Sequence, residues 1–393
     1  MNAAETWLYV VPALARKDIT IKMADKRIVN SLLIEKPELI NALMERSCNL
    51  QCIHCLLPEH YSTSKISKES RLDNILKNLA MQLPTKGKSS FLHEGRIVMP
   101  WHIRFLKELK SRAPKVAYGL IDNGTYTRAL KEFENFQLDW LDISCDGTRK
   151  SHNAQRDPLG KSYDQMMDGL LHARDVTISP MLGGRVTSLM TMTSLNYQDI
   201  KNVADELFRK NPRHPTLNYI DELHITTMNP KLPINYTIDL RLEHMAVIFE
   251  SIKELQDSGM PVYFRLYSTQ HLGLLAKHIG YKTFQKSLEQ AKAYPHGIIG
   301  LNLEGVQLYY MPSSIWPSEG IFIDANGAQR AAYAQSYTLE QLNNPTYSKY
   351  TVQQLNETSS LEDAHKANVT QWRNHFMNNF LEQETALLRQ LEI

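Results

Sequence analysis

Between Leu39 and Pro230 the chain alternates short strand-like apolar runs with segments whose apolar residues recur at helical spacing, six times in about 190 residues. The strand-like runs fall near Leu39–Met44, Ser89–His93, Val116–Ile121, Trp140–Ser144, within Arg185–Met192, and at Glu222–Thr227. Helices are predicted around Leu72, Ile75, Leu76, Leu79 and Leu83, then at Trp101–Arg112, Tyr126–Glu134, Tyr163–Ala173 and Gln198–Lys210. Strands separated by helices of this length pair in parallel through right-handed crossovers, with helices covering the sheet. In a barrel-like sheet of this kind, chemistry gathers at the C-terminal strand ends and the loops after them.

After Pro233 the rhythm changes. Leu242–Leu255 reads as an amphipathic helix, Val262–Tyr267 as a strand and Gln270–Ala293 as mainly helical. Val306–Tyr310 and Ile321–Asp324 read as strands, with Asn326-Gly327 as a hairpin turn and helical segments from Leu361 onward. The expected division is an N-terminal segment over 1–38, with apolar runs at Trp7–Val11 and Ile28–Ile34, a strand–helix domain over 39–232, and a smaller α+β region over 233–393 covering one mouth of the sheet.

Charge argues against a polyanionic partner. The 44 basic and 42 acidic residues leave a formal net charge of +2, without a basic block, so no nucleic acid is expected. No run of 18 apolar residues offers a membrane span, and Met1–Val11 lacks the basic region of a signal peptide, so a cytoplasmic location is expected.

The chain has four cysteines, three of them within eight residues directly after the first strand. They read Cys48-Asn-Leu-Gln-Cys52-Ile-His-Cys55, a C-x3-C-x2-C spacing. Such a loop can bring three thiolates to three corners of a cubane iron–sulfur cluster, leaving the fourth iron open to chelation by the amino and carboxylate groups of a methionine moiety. A zinc site made from the three cysteines with His54 or His60 as fourth ligand is the competing reading. In either reading the cysteines are a metal site rather than a disulfide framework.

With Asn49, Leu50 and His54 between them, Cys48, Cys52 and Cys55 resemble the cluster loop of radical S-adenosylmethionine (SAM) enzymes. Within that superfamily the chain is most similar to the branch containing peptide-modifying maturases, over roughly Leu39 to Pro230. The resemblance implies a partial (β/α)6 TIM-like barrel, one [4Fe-4S] cluster and bound SAM. Family members carry a Gly-Gly-Glu-Pro stretch that binds the SAM amino group; Leu92-His93-Glu94-Gly95 keeps only Glu94, which takes that role. Ile121-Asp122-Asn123-Gly124-Thr125 is similar to the family's Thr-Asn-Gly-Thr, placing Asn123 toward the cofactor and a tight turn at Gly124. Ser144-Cys145-Asp146-Gly147, then His152 and Arg156, look like the family's Ser-x-Asp-Gly…His…Arg pattern. By that likeness Ser144 hydrogen-bonds SAM, Arg156 pairs with its carboxylate, and Asp146 contacts ribose or substrate. Asn196 is the candidate for the methionine part, and His152 is given a structural role.

Cys145 has two readings, a hydrogen-atom donor to a substrate radical or a small buried hydrophobe. Strand alternation favours the second, because Ser144 and Asp146 facing inward turn Cys145 toward the helices. Related maturases hold auxiliary clusters in a cysteine-rich C-terminal extension. Ile321–Ala332 resembles its hairpin but carries alanines where a cysteine belongs, and no cysteine follows Cys145. The resemblance therefore implies a radical SAM enzyme that takes an electron from a flavodoxin- or ferredoxin-type carrier. It would cleave SAM to a 5′-deoxyadenosyl radical and abstract hydrogen from a C–H bond. A ribosomally made peptide is the first substrate class, and a sugar, nucleoside or amino acid the second. A non-catalytic zinc or degenerate-cluster protein is the reading from another class.

Overall fold

In a computed structural model of the chain, the residues described are 19–20, 39–42, 48–55, 90–94, 100–114, 117–126, 131–132, 136–157, 160–177, 184–228, 237–267, 269–293, 299–310, 320–323 and 329–330. The strands are β1 (Ile19–Thr20), β2 (Leu39–Ala42), β3 (Ser90–Glu94), β4 (Ala117–Asp122), β5 (Trp140–Ser144) and β6 (Arg185–Met192). There follow β7 (Lys210–Asn211), β8 (His214–Asn218), β9 (Glu222–Thr227), β10 (Val262–Leu266), β11 (Lys292–Ala293), β12 (Ile299–Leu303), β13 (Val306–Tyr310), β14 (Gly320–Ile323) and β15 (Gln329–Arg330). Seven described helices accompany them: α1 (Pro100–Arg112), α2 (Arg149–Arg156), α3 (Ser162–Val176), α4 (Ile200–Leu207), α5 (Leu242–Asp257), α6 (Thr269–Ile279) and α7 (Tyr281–Glu289).

The six expected strands, β2, β3, β4, β5, β6 and β9, lie side by side in that order, and every pair is parallel. The chain is thus an α/β protein with the strand sequence of a partial (β/α)6 barrel. The sheet is open, ending on β1 and β15. Beyond residue 233, the strands extend this same sheet rather than pairing as a sheet of their own. β10 pairs in parallel with β9, β13 in parallel with β10, and β14 in parallel with β2. The hairpin expected around Asn326-Gly327 is present as antiparallel β14–β15, although the turn itself lies outside the described residues. So do the helix expected at Leu72–Leu83, most of that at Tyr126–Glu134, the runs at Trp7–Val11 and Ile28–Ile34, and everything after residue 330.

Alternation gives the sheet two chemically different faces. One carries Tyr118, Leu120, Leu141, Ile143, Val186, Met190, Leu223, Ile225, Phe264 and Leu308, all buried in a single core with Leu106 of α1, Met166 and Leu170 of α3, Val203 of α4 and Ile252 of α5. The other carries Asp142, Ser144, Thr187, Thr191, Glu222, His224, Thr226 and Arg265. Of the inward-facing residues, Ile121, Ser144, Leu189, Thr191, Thr226 and Tyr267 are half-buried, whereas Asp142, Thr187, Glu222, His224 and Arg265 are buried. The sheet therefore presents an accessible mouth at its C-terminal ends above a charged floor.

Candidate active site

The cysteine loop sits at this mouth, anchored on both sides. On the β4 side, the Asn49 side chain donates to Thr125 Oγ1 at 2.8 Å and accepts from the Asn123 amide at 2.9 Å. Asn123 is in turn locked by the Thr125 backbone N–H and hydroxyl, which donate to its Oδ1 at 3.0 and 2.6 Å. Gly124 makes the expected turn with φ of 73°, a conformation that costs glycine nothing. On the other side, the loop caps α2. The last turn of a helix leaves carbonyls without partners; here the Gln155 and Arg156 carbonyls accept from the backbone N–H groups of Ile53 at 2.9 Å and Gln51 at 3.3 Å.

The sequence gives no periodic signal for α2, because Arg149–Arg156 is short and polar. Its N-terminus is held from a distance. The Asp199 carboxylate accepts from Thr148 N and Oγ1, both at 3.1 Å, and from the Ser151 hydroxyl, a capping geometry that also places negative charge at the positive end of the helix. Gly147 makes this possible: a Cβ there would lie 2.1 Å from Ser151 Oγ, and its φ is 133°.

Asp146 is the hub that joins these pieces. Oδ2 lies 3.0 Å from His54 Nε2 on the cysteine loop and accepts from Arg156 Nε, while Oδ1 accepts from Thr191 N of β6 at 2.7 Å. Its backbone N–H donates to His152 Nδ1 at 3.2 Å, and its carbonyl accepts from Gln155 Nε2 and Asn196 Nδ2, each at 2.9 Å. Burial alone would push this carboxyl up; Arg156 and His54 outweigh it and hold it well below the usual carboxylate range. His152 is pushed down to about 3 by burial and then by the Arg156 charge, and its Nδ1 accepts from the Asp146 N–H as a neutral ring.

For two of the sequence-derived residues, the hydrogen bonds in this structure serve the scaffold. Asp146, assigned a ribose or substrate contact, spends both carboxylate oxygens on His54, Arg156 and Thr191. Asn196, assigned the methionine moiety, donates to the Asp146 and Thr191 carbonyls and accepts from Thr193 N at 2.8 Å, so its amide holds the loop after β6. Ser144 ends β5 half-buried on the inward face, paired in register with Leu189. Glu94 ends β3 in register with Ile121. Cys145 points the other way: it is 1% exposed within the helix-side core, and burial pushes its thiol up to about 12.

The three loop thiols differ from Cys145 in exposure: they are partly exposed where Cys145 is buried, and none is in a disulfide. Leu50 N and Asn123 Nδ2 approach Cys48 Sγ at 3.5 and 3.7 Å, N–H donors suited to a thiolate ligand. Cys52 is pushed up to about 12, by burial first and with the neighbouring cysteines adding to it, against the lowering pull of Arg156. A metal centre reverses that balance, because its positive charge deprotonates a coordinating thiol. The donor set therefore fits an iron–sulfur cluster carried on three corners. Of the two histidines the zinc reading offers, His54 lies 3.0 Å from Asp146 Oδ2 and His60 lies outside the described residues.

The floor behind the mouth was not singled out from the sequence. Glu222 lies 3.2 Å from Arg185 and accepts from His224 Nε2 at 3.0 Å, with the His224 ring edge-on to Tyr263. Asp142 is pushed up to about 7 by burial, which Arg265 opposes and Glu222 reinforces. The period-2 placement of Asp142, Glu222, His224 and Arg265 within otherwise apolar strands was the signal available.

A parallel sheet with a three-cysteine loop at the end of its first strand is the architecture of a radical SAM domain. Residues 44–207 match the family described as the Radical SAM superfamily, whose members are enzymes. That domain implies SAM and a [4Fe-4S] cluster. No curated protein matches the chain. Among solved structures, SuiB of Streptococcus suis, bound to precursor peptide SuiA, is 12% identical over 82% of this chain and 67% of that one, with a TM-score of 0.49. AdoMet-bound anSMEcpe is 15% identical over 90% and 98%, at 0.44. Coproporphyrinogen III oxidase HemN from Escherichia coli, a radical SAM enzyme, is 12% identical over 72% and 71%, at 0.41. Among the described residues, no helix is long and apolar enough to cross a membrane.

Proposed function

We propose that Cys48, Cys52 and Cys55 hold one [4Fe-4S] cluster at the barrel mouth and that the chain uses it to modify a C–H bond of a ribosomally made peptide. The observation that carries the reading is the loop itself: three partly exposed cysteines outside any disulfide, two N–H donors directed at Cys48, and an arginine beside Cys52, all at the C-terminal rim. When bound, the cluster supplies the electron that cleaves SAM reductively to methionine and a 5′-deoxyadenosyl radical.

The chain's own residues bind, orient and exclude. Asn123 steadies Cys48 and Asn49; Arg156 supplies the positive charge for a SAM carboxylate; Ser144 and Glu94 stand at the rim for its remaining polar groups. The half-buried Leu189, Thr191, Thr226 and Tyr267 form the wall against which a substrate C–H is held close to the attacking atom, away from water. A peptide is the substrate class that the sequence likeness to maturases favours, and a flavodoxin- or ferredoxin-type carrier is the electron source.

Anaerobic reconstitution with iron and sulfide, followed by SAM and dithionite, tests the reading. The wild type is expected to bind about four irons and to form 5′-deoxyadenosine, and Cys55→Ala to form none. A colourless zinc protein without SAM cleavage would overturn it.

A further inference from the structure

We propose that His54, Asp146 and Arg156 form a latch in which Asp146 is a positioning residue, fixing the cysteine loop against α2 and β6 before iron or SAM arrives. The inference rests on the reading that this loop carries the cluster. Three observations converge on it. First, Asp146 is fully buried, and its two carboxylate oxygens reach three separate elements: the loop through His54, the end of α2 through Arg156, and β6 through Thr191. Second, the loop backbone docks on the same turn of α2 that presents Arg156, through Ile53 N to Gln155 O and Gln51 N to Arg156 O. Third, the Asp146 backbone is itself pinned by His152, Gln155 and Asn196, so the hub cannot swing to follow a displaced loop.

The consequence for Arg156 is directional. Its Nε edge is taken by Asp146, so an incoming carboxylate meets the Nη end of the fork. Its charge also lies near Cys52, where Asp146 offsets it. One carboxylate therefore sets the position of the loop, the presented edge of the arginine, and the net charge beside a cluster ligand.

Amide hydrogen exchange on the iron-free full-length chain reads the latch without relying on radical chemistry. The reporters are the N–H groups of Gln51 and Ile53. In Asp146→Asn and in His54→Ala they are expected to exchange at least about tenfold faster, the size of one lost charge-assisted hydrogen bond. Amides of β4 and β9 should be unchanged, and His54→Gln should recover part of the protection. Because His54 lies in the loop, its replacement stays informative if Asp146→Asn folds poorly. Unchanged exchange at Gln51 and Ile53 in His54→Ala would overturn the proposal, as would equal acceleration across the sheet, which would make these residues general supports of the fold. Failed iron reconstitution with an intact exchange pattern would refute the cluster reading and leave the local latch standing.

Discussion

The two faces of the central sheet are both largely buried, yet one is hydrocarbon and the other is charged. Toward the helices, Leu141, Ile143, Val186, Ile225 and Phe264 pack in a continuous core. Toward the barrel interior, the same strands carry Asp142, Thr187, Glu222, His224 and Arg265, buried with ionic and hydrogen-bonded partners. Burying charge is costly unless it is compensated, so a sheet built for stability alone would carry apolar residues inside as well. The helix-side face holds the fold together, and the inward face holds chemistry above a polar floor.

Three substitutions sharpen that contrast. The largest effect is expected on the hydrocarbon side: Phe264→Ala, at a fully buried side chain, should lower unfolding free energy by about 3–5 kcal/mol in urea titration. A loss below about 1 kcal/mol would show that this face is not the packed core it resembles. The second concerns the floor. Asp142 titrates at about 7 in the folded chain, above its unfolded value, so the native state binds the extra proton and stability falls as pH rises from about 4 to about 7. Asp142→Asn should remove a component of that slope on the order of 1–3 kcal/mol, read as the difference between wild-type and variant stability at the two pH values. An identical slope in both proteins would place the carboxylate in a better-solvated site. The smallest effect separates the faces at one residue. Cys145→Ala should cost about 1 kcal/mol of stability and leave 5′-deoxyadenosine formation within about twofold, since the thiol lies in the helix-side core. A large loss of SAM cleavage would contradict that placement.

Much of this was legible in the order of residues. β5, β6 and β9 fall at the boundaries expected from their composition, because a central parallel strand must be apolar toward its helices and is bounded by turns. The cysteine loop was legible from its spacing and its position after a strand. What the sequence hid was non-local. α2 buries one face at helical spacing, but that face is Ser151, His152, Gln155 and Arg156 rather than an apolar stripe, and Asp199 binds its N-terminus from another segment. β12 carries a weak sequence signal, because Glu304-Gly305, a two-residue turn with both φ values positive, does not resemble the common turn pairs, and the strand contains Gly300. The membership of β10, β13 and β14 in the main sheet depends on pairings between distant segments. Asp146 could be picked out by motif, whereas its partner His54 could be found only in three dimensions.

β14 has one further consequence. It pairs in parallel with β2, the strand that leads to the cysteines, and β2 has β3 on its other side. During synthesis β2 therefore remains an open edge until residues 320–323 have left the ribosome, and contacts that close over so long a stretch of chain form late. A chain truncated before Gly320 would leave β2 paired with β3 on one side only, an edge open to pairing with a second copy.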